Sequence, residues 1–211
     1  MRGPQESIDV SVRELLAALS SADVAHGAVS TAALAGALGT SMLLMVASLP
    51  KTRSDSATDR TALIDANMAL RRIQEELLET IETETVVKMS AADSLPQGSA
   101  SQRTEREAAI QVALRAAADV PLEIIRLCSL GMRHARTVAE RSTRAAAAAV
   151  QLGVSLVRIA FQGARTNLES KLSSLTDSAY TADLVEEIAR LTDETESAAR
   201  AAEAASQVPP A

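Results

Sequence analysis

Between Asp23 and Lys51 the chain carries no charged residue, and between Arg144 and Arg158 it again carries none. These two uncharged stretches constrain the fold more than anything else in the sequence. A helix with no polar face is either buried on all sides or lies in a membrane. The first stretch contains Ser30, Thr31, Thr40, Ser41 and Ser48 along with three glycines, and its strongly apolar part is only Met42 to Val46. That composition fits the centre of a helical core better than a membrane span. The stretch also starts too far along the chain, and without a basic leader, to read as a signal peptide. No membrane partner is expected.

The rest of the composition agrees. Of 211 residues 47% are apolar, yet there is one Phe, one Tyr and no Trp. Such a core is built from Ala, Leu, Val, Ile and Met. Alanine is the best helix former, and the residues that strands favour are scarce. An all-α fold is expected. The net charge is −6, and no basic cluster or set of aromatics is available to hold and stack nucleic acid. The lone Cys128 cannot form an internal disulfide; it reads as a small core residue and fits a reducing, cytoplasmic setting. Two histidines, His26 and His134, are too few for a histidine-based metal site, so no metal is expected.

Periodicity divides the chain into about six helices. Residues 1–6 read as a loose end, 7–205 as one domain and 206–211 as an open tail. Ser11-Val-Arg-Glu14 is a capping box that opens a short helix. The uncharged helix covers Ser30 to Leu49, with Ser30 as a possible N-cap and Pro50 as its stop. Ala32, Gly36 and Gly39 let a neighbouring backbone come close. A long helix spans about 57–92, with Leu63, Ala66, Leu70, Ile73 and Leu77 on a heptad seam that continues through Ile81 to Glu84. Another begins near Ser101 and is expected to break or kink at Pro121. A second uncharged helix runs to about Leu172, and a last one covers about Thr181 to Ala204. Two helices buried on all sides are many for a chain of this size. Either both lie at the centre of a globular bundle, or the chain is a homodimer in which each copy completes the other's core.

The order of these pieces resembles the cyclodeaminase/cyclohydrolase family of one-carbon folate enzymes. The family includes the C-terminal domain of formiminotransferase-cyclodeaminase and the methenyltetrahydrofolate cyclohydrolases. The segments that carry the resemblance are Ser30-Thr-Ala-Ala-Leu-Ala-Gly-Ala-Leu-Gly39, Met45-Val-Ala-Ser-Leu49, Leu77-Leu-Glu-Thr-Ile81, Ala117-Ala-Asp-Val-Pro-Leu122, Ala139-Glu140 and Gly163-Ala-Arg-Thr-Asn167. The resemblance implies an all-helical bundle that works as a dimer, with a tetrahydrofolate derivative as substrate or ligand and no cofactor required. Cyclohydrolases of the family add water to a methenyl bridge; cyclodeaminases close a formimino group onto a neighbouring nitrogen and expel ammonia.

By the same resemblance, Gly27 and Ser30 belong to the ligand-facing turn before the first uncharged helix, Glu84 to the family's acidic position, and Asn167 to a retained polar position. Lys51 and Arg53 fall where the family has a basic cluster. His26 and Glu84 are the candidate acid/base groups, with Lys88 or Lys51 holding an anion. Several family motifs are altered. The turn reads His26-Gly-Ala-Val-Ser30 where the family has Pro-Gly-Gly-Gly-Ser, Val87-Lys88 replaces an aromatic pair, and Ala148-Ala149 stands on a Ser-Asp pair. The expectation is a pocket reused for ring closure or opening at a C–N bond of another small molecule, a hydrolase or lyase. The alternatives are the family's own folate reaction and a non-catalytic relative that binds a ligand or has a structural role.

Overall fold

A computed structural model describes residues 11–20, 27–93 and 100–207. They form six α-helices: α1 (Val12–Leu19), α2 (Ala28–Ala47), α3 (Ala57–Asp93), α4 (Ala100–Arg141), α5 (Ala147–Leu172) and α6 (Ser178–Gln207), with one 3₁₀ turn, Arg144–Ala146, leading into α5. The all-α expectation holds. The capping box is formed: the Ser11 amide donates to Glu14 Oε2 at 2.8 Å and the Glu14 amide to Ser11 Oγ at 3.3 Å.

Contacts fix the directions of the helices. Ala32 meets Gly163, Gly36 meets Ala160, and Gly39 meets Val157 and Gly153, so α2 and α5 are antiparallel. Asn67 donates to the Leu44 carbonyl and Gln74 to that of Ala37, so α2 and α3 are antiparallel too. Arg126 pairs with Glu187 and Tyr180 with Asp119, so α4 and α6 run the same way. Helices α2, α4 and α6 therefore point one way and α3 and α5 the other. The heptad seam of α3 is buried throughout, from Leu63 to Leu77. Ile124, Ile125, Met132 and Val138 of α4 complete the core with Phe161 and Leu168 of α5.

Both uncharged helices occupy the middle of the bundle, and most of α2 is buried against α3, α4 and α5. By length and composition α2 and residues 144–172 could each cross a membrane; here they pack against other helices. Neither is sealed, however. The edge of α2 facing away from α4 leaves Leu38 and Met45 exposed, and that of α5 leaves Leu152 and Ile159 exposed.

Three boundaries differ from the sequence reading. Helix α2 begins earlier, with Gly27 as the N-cap residue and no side-chain cap, so Ser30 is a buried first-turn residue rather than the cap. Helix α6 continues to Gln207, with Ser206 bonded back to the Ala202 carbonyl, so no open tail begins at 206. Helix α4 does not break at Pro121. The proline is bracketed by Asp119, which accepts from the Tyr180 hydroxyl, and Arg126, which holds Glu187 at 2.7 and 2.8 Å. Packing on both sides outweighs the one lost hydrogen bond.

Candidate functional site

The site residues expected from the sequence separate into two groups. The antiparallel register of α2 against α3 and α5 decides which belong together. Gly36 touches Leu77 and Ala160. Continued toward the start of α2, the same register brings Gly27 and Ser30 level with the segment after Ile81 on α3 and with the segment after Gly163 on α5. Gly27, Ser30, the backbone of Glu84 and Asn167 thus share one end of the bundle. Ser30 is 7% exposed. Asn167 Oδ1 accepts from Lys171 Nζ one turn on, placing an ammonium beside the amide at that end. Lys171 carried no role in the sequence reading; its i,i+4 spacing from Asn167 was the available signal. Glu84 and Lys88 lie on α3, but their side chains are outside the described residues, as is all of His26.

Lys51 and Arg53 lie at the other end. Helix α2 has 20 residues, which separates its termini by about 30 Å at 1.5 Å per residue. Arg53 is also spent on structure. Its Nη2 donates to the carbonyls of Ala139 (2.8 Å) and Ala205 (3.1 Å), and its Nε to that of Ser142 (3.1 Å). Its backbone amide donates to the Arg141 carbonyl at 2.7 Å, beside a bridge between Thr52 and Ser142. The guanidinium therefore satisfies carbonyls at the ends of α4 and α6, and a ligand would have to displace it. Lys51 is exposed. Asp59, 4% exposed, accepts from the Ser54 hydroxyl at 2.6 Å, the Ser54 amide at 3.2 Å and Arg141 Nη1 at 2.8 Å. These bonds, the Ser54 hydroxyl first, hold its carboxyl below the usual carboxylate range.

Other polar features have ordinary roles. Cys128 is buried among apolar side chains, and burial pushes its thiol up to about 12. Among the described residues, no group of three His, Cys, Asp or Glu side chains is arranged to hold a metal ion. An open groove on the far side of α3 is lined by Glu79, Thr80, Thr83, Asp119 and Glu123, but Thr80 donates inward to the Leu77 carbonyl.

An up-and-down helical bundle with two central glycine-bearing helices and a polar end at the start of the first defines an all-helical class of scaffold. The chain belongs to the formiminotransferase-cyclodeaminase family, whose model matches residues 11–190. A methenyltetrahydrofolate cyclohydrolase of Methylorubrum extorquens is 25% identical over 181 residues, covering 84% of this chain and 86% of that protein. The crystal structure of a formiminotetrahydrofolate cyclodeaminase from Thermotoga maritima superposes with a TM-score of 0.82 at 16% identity, covering 93% of this chain and 95% of the other. That structural match extends the shared fold over nearly the whole chain.

Proposed function

We propose that this chain opens or closes a ring at a C–N bond of a tetrahydrofolate carrying a one-carbon unit. The observation that carries the reading is the antiparallel register that brings the Gly27–Ser30 turn, Glu84 and Asn167 to one end of a family scaffold. Family membership and the cyclohydrolase relative support a folate over an unrelated small molecule. In the hydrolytic direction, water adds to the cationic methenyl carbon, loses a proton, and the adduct collapses with cleavage of one C–N bond. Glu84 stands as the carboxylate beside the cation and as proton acceptor. The start of α2, which has no side-chain cap, offers backbone N–H groups to the electron-rich part of the ligand, and Asn167 offers an amide. Lys88 lies one turn beyond Glu84, and His26 directly precedes the turn; both serve as further proton or anion contacts.

A second reading, a non-catalytic relative that binds the same ligand, is favoured by one observation. Ala148 and Ala149 can neither accept a proton nor carry charge where the family has a Ser-Asp pair. One experiment separates the two. The protein is mixed with 5,10-methenyltetrahydrofolate and loss of the methenyl chromophore is followed against buffer alone. Accelerated loss, slowed on the order of a hundredfold or more by Glu84→Gln, is the expected result. Binding without acceleration selects the second reading, and neither binding nor turnover overturns both.

A further inference from the structure

Gly163, Asn167 and Lys171 follow one another on α5 at intervals of four residues, so they share one stripe of the helix. Gly163 on that stripe faces Ala32 of α2. The antiparallel register therefore sets Asn167 level with the first turn of α2 and Lys171 one turn beyond it. Both residues are partly buried.

The bond between them settles which way the amide points. Asn167 Oδ1 accepts from Lys171 Nζ. An ammonium has three donors and no acceptor, whereas a side-chain amide donates at one atom and accepts at the other. Only the oxygen can face the lysine, so the NH2 group is turned away from it. A carboxylate at position 171 would turn the amide round. Among the described residues, the Asn167 backbone carbonyl accepts from Ser170 and Oδ1 from Lys171, and the NH2 group donates to no protein acceptor.

We propose that Lys171 is a positioning residue: it locks Asn167 as a hydrogen-bond donor toward the ligand, and the site thereby selects a formyl oxygen over a formimino nitrogen. The inference rests on the reading of this end of the bundle as the folate site.

The chemistry of the two groups decides the selection. The start of α2 has no side-chain cap, so its first amides are donors too, and the positive end of the helix dipole lies there. A formyl group brings a carbonyl oxygen, which only accepts. A formimino group has the same shape with nitrogen in place of oxygen. It is an amidine, protonated near neutral pH, and it then brings N–H donors and a positive charge. Against Asn167 it sets donor to donor. In hydrolysis of the methenyl bridge, the oxygen of water forms the new C–O bond and becomes the formyl oxygen. One proton of that water leaves by way of Glu84. The other goes to the nitrogen that takes the electron pair of the broken C–N bond. The Asn167 NH2 group receives the oxygen as it becomes a carbonyl.

The probes are 5-formyltetrahydrofolate and 5-formiminotetrahydrofolate, which differ only in oxygen against nitrogen on the same carbon. Equilibrium binding of each to the full chain is measured near neutral pH. The parent should bind the formyl compound about tenfold or more tightly, the effect of one hydrogen bond replaced by two opposed donors. In Lys171→Met the amide is free to turn round, and the two affinities should approach each other. Lys171→Arg, which also only donates, should keep the parent's preference. Asn167→Asp keeps an acceptor for Lys171 but has no donor for the ligand, so the preference should reverse. In an Asn167→Ala background, Lys171→Met should change neither affinity, because the lysine acts through the amide. A parent that binds the two compounds equally, or prefers the formimino one, overturns the proposal. So does a Lys171→Met variant with the parent's preference, or an effect of that substitution that persists without the amide. A parent that binds neither compound refutes the proposed function and this inference with it; the other adverse outcomes leave the folate reading standing.

Discussion

Arg53 and Lys51 are two positions apart in the chain and have opposite roles in the protomer. Removing the Arg53 side chain leaves the carbonyls of Ala139, Ser142 and Ala205 without their donors, so Arg53→Ala should cost about 1–3 kcal/mol, read as a lower midpoint in urea. Lys51→Ala should leave the stability of the protomer unchanged. From sequence the two look alike, because what distinguishes them is carbonyls 86 and 152 residues away along the chain. Asp59 gives a pH signature. The Ser54 hydroxyl and Arg141 hold its carboxyl below the usual carboxylate range, so its contribution is present above that range and is lost as pH falls through the lower folded value. Asp59→Asn should be less stable than the parent at pH 7, and the difference should shrink as pH falls below the usual carboxylate range, measured by urea unfolding at each pH. Cys128, with its thiol pushed up to about 12 by burial, should react with a thiol reagent only after denaturation.

At the scale of elements, α2 and α5 meet along glycines. A Cβ on Gly39 would come within 2.8 Å of Val157 Cγ2 and 2.9 Å of the Gly153 carbonyl oxygen, and one on Gly153 within 2.9 Å of Leu43 Cγ. Two of the atoms facing Gly39 are backbone, so the helices themselves must part. Gly39→Ala should destabilise by about 1–3 kcal/mol despite alanine's better helix propensity, and thermal unfolding reads it. A gain in stability would mean that the two helices are farther apart than they appear here. This close approach was legible in the spacing of Ala32, Gly36 and Gly39, and the α3 seam was legible because a heptad of Leu, Ala and Ile leaves one buried face. The course of α4 through Pro121 was not. Local chemistry argues for a break there, and the side chains that brace the continuous helix come from α6, about 60 residues downstream.

At the scale of the molecule, a core with a single Phe depends on it. Phe161 is the largest fully buried side chain, and small neighbours such as Ala160 and Ala164 cannot fill its space. Phe161→Ala should cost about 3–5 kcal/mol, measured by chemical denaturation. The fold could be read from sequence because helical period and uncharged faces are local properties. The candidate site was harder to read. Gly27 and Asn167 are joined only by the register of two helices, while Lys51 and Arg53 are close to Gly27 in sequence and far from it within one chain. The order of the elements also bears on synthesis. Helix α2 leaves the ribosome long before α5, the neighbour that covers much of its surface, and Gly39 and Gly153 are 114 residues apart (153 − 39 = 114). At about 5–20 residues per second the greasiest helix of the chain waits roughly ten seconds for its cover. Slow translation or a holding chaperone at that stage should therefore govern the soluble yield of the protein more than its final stability does.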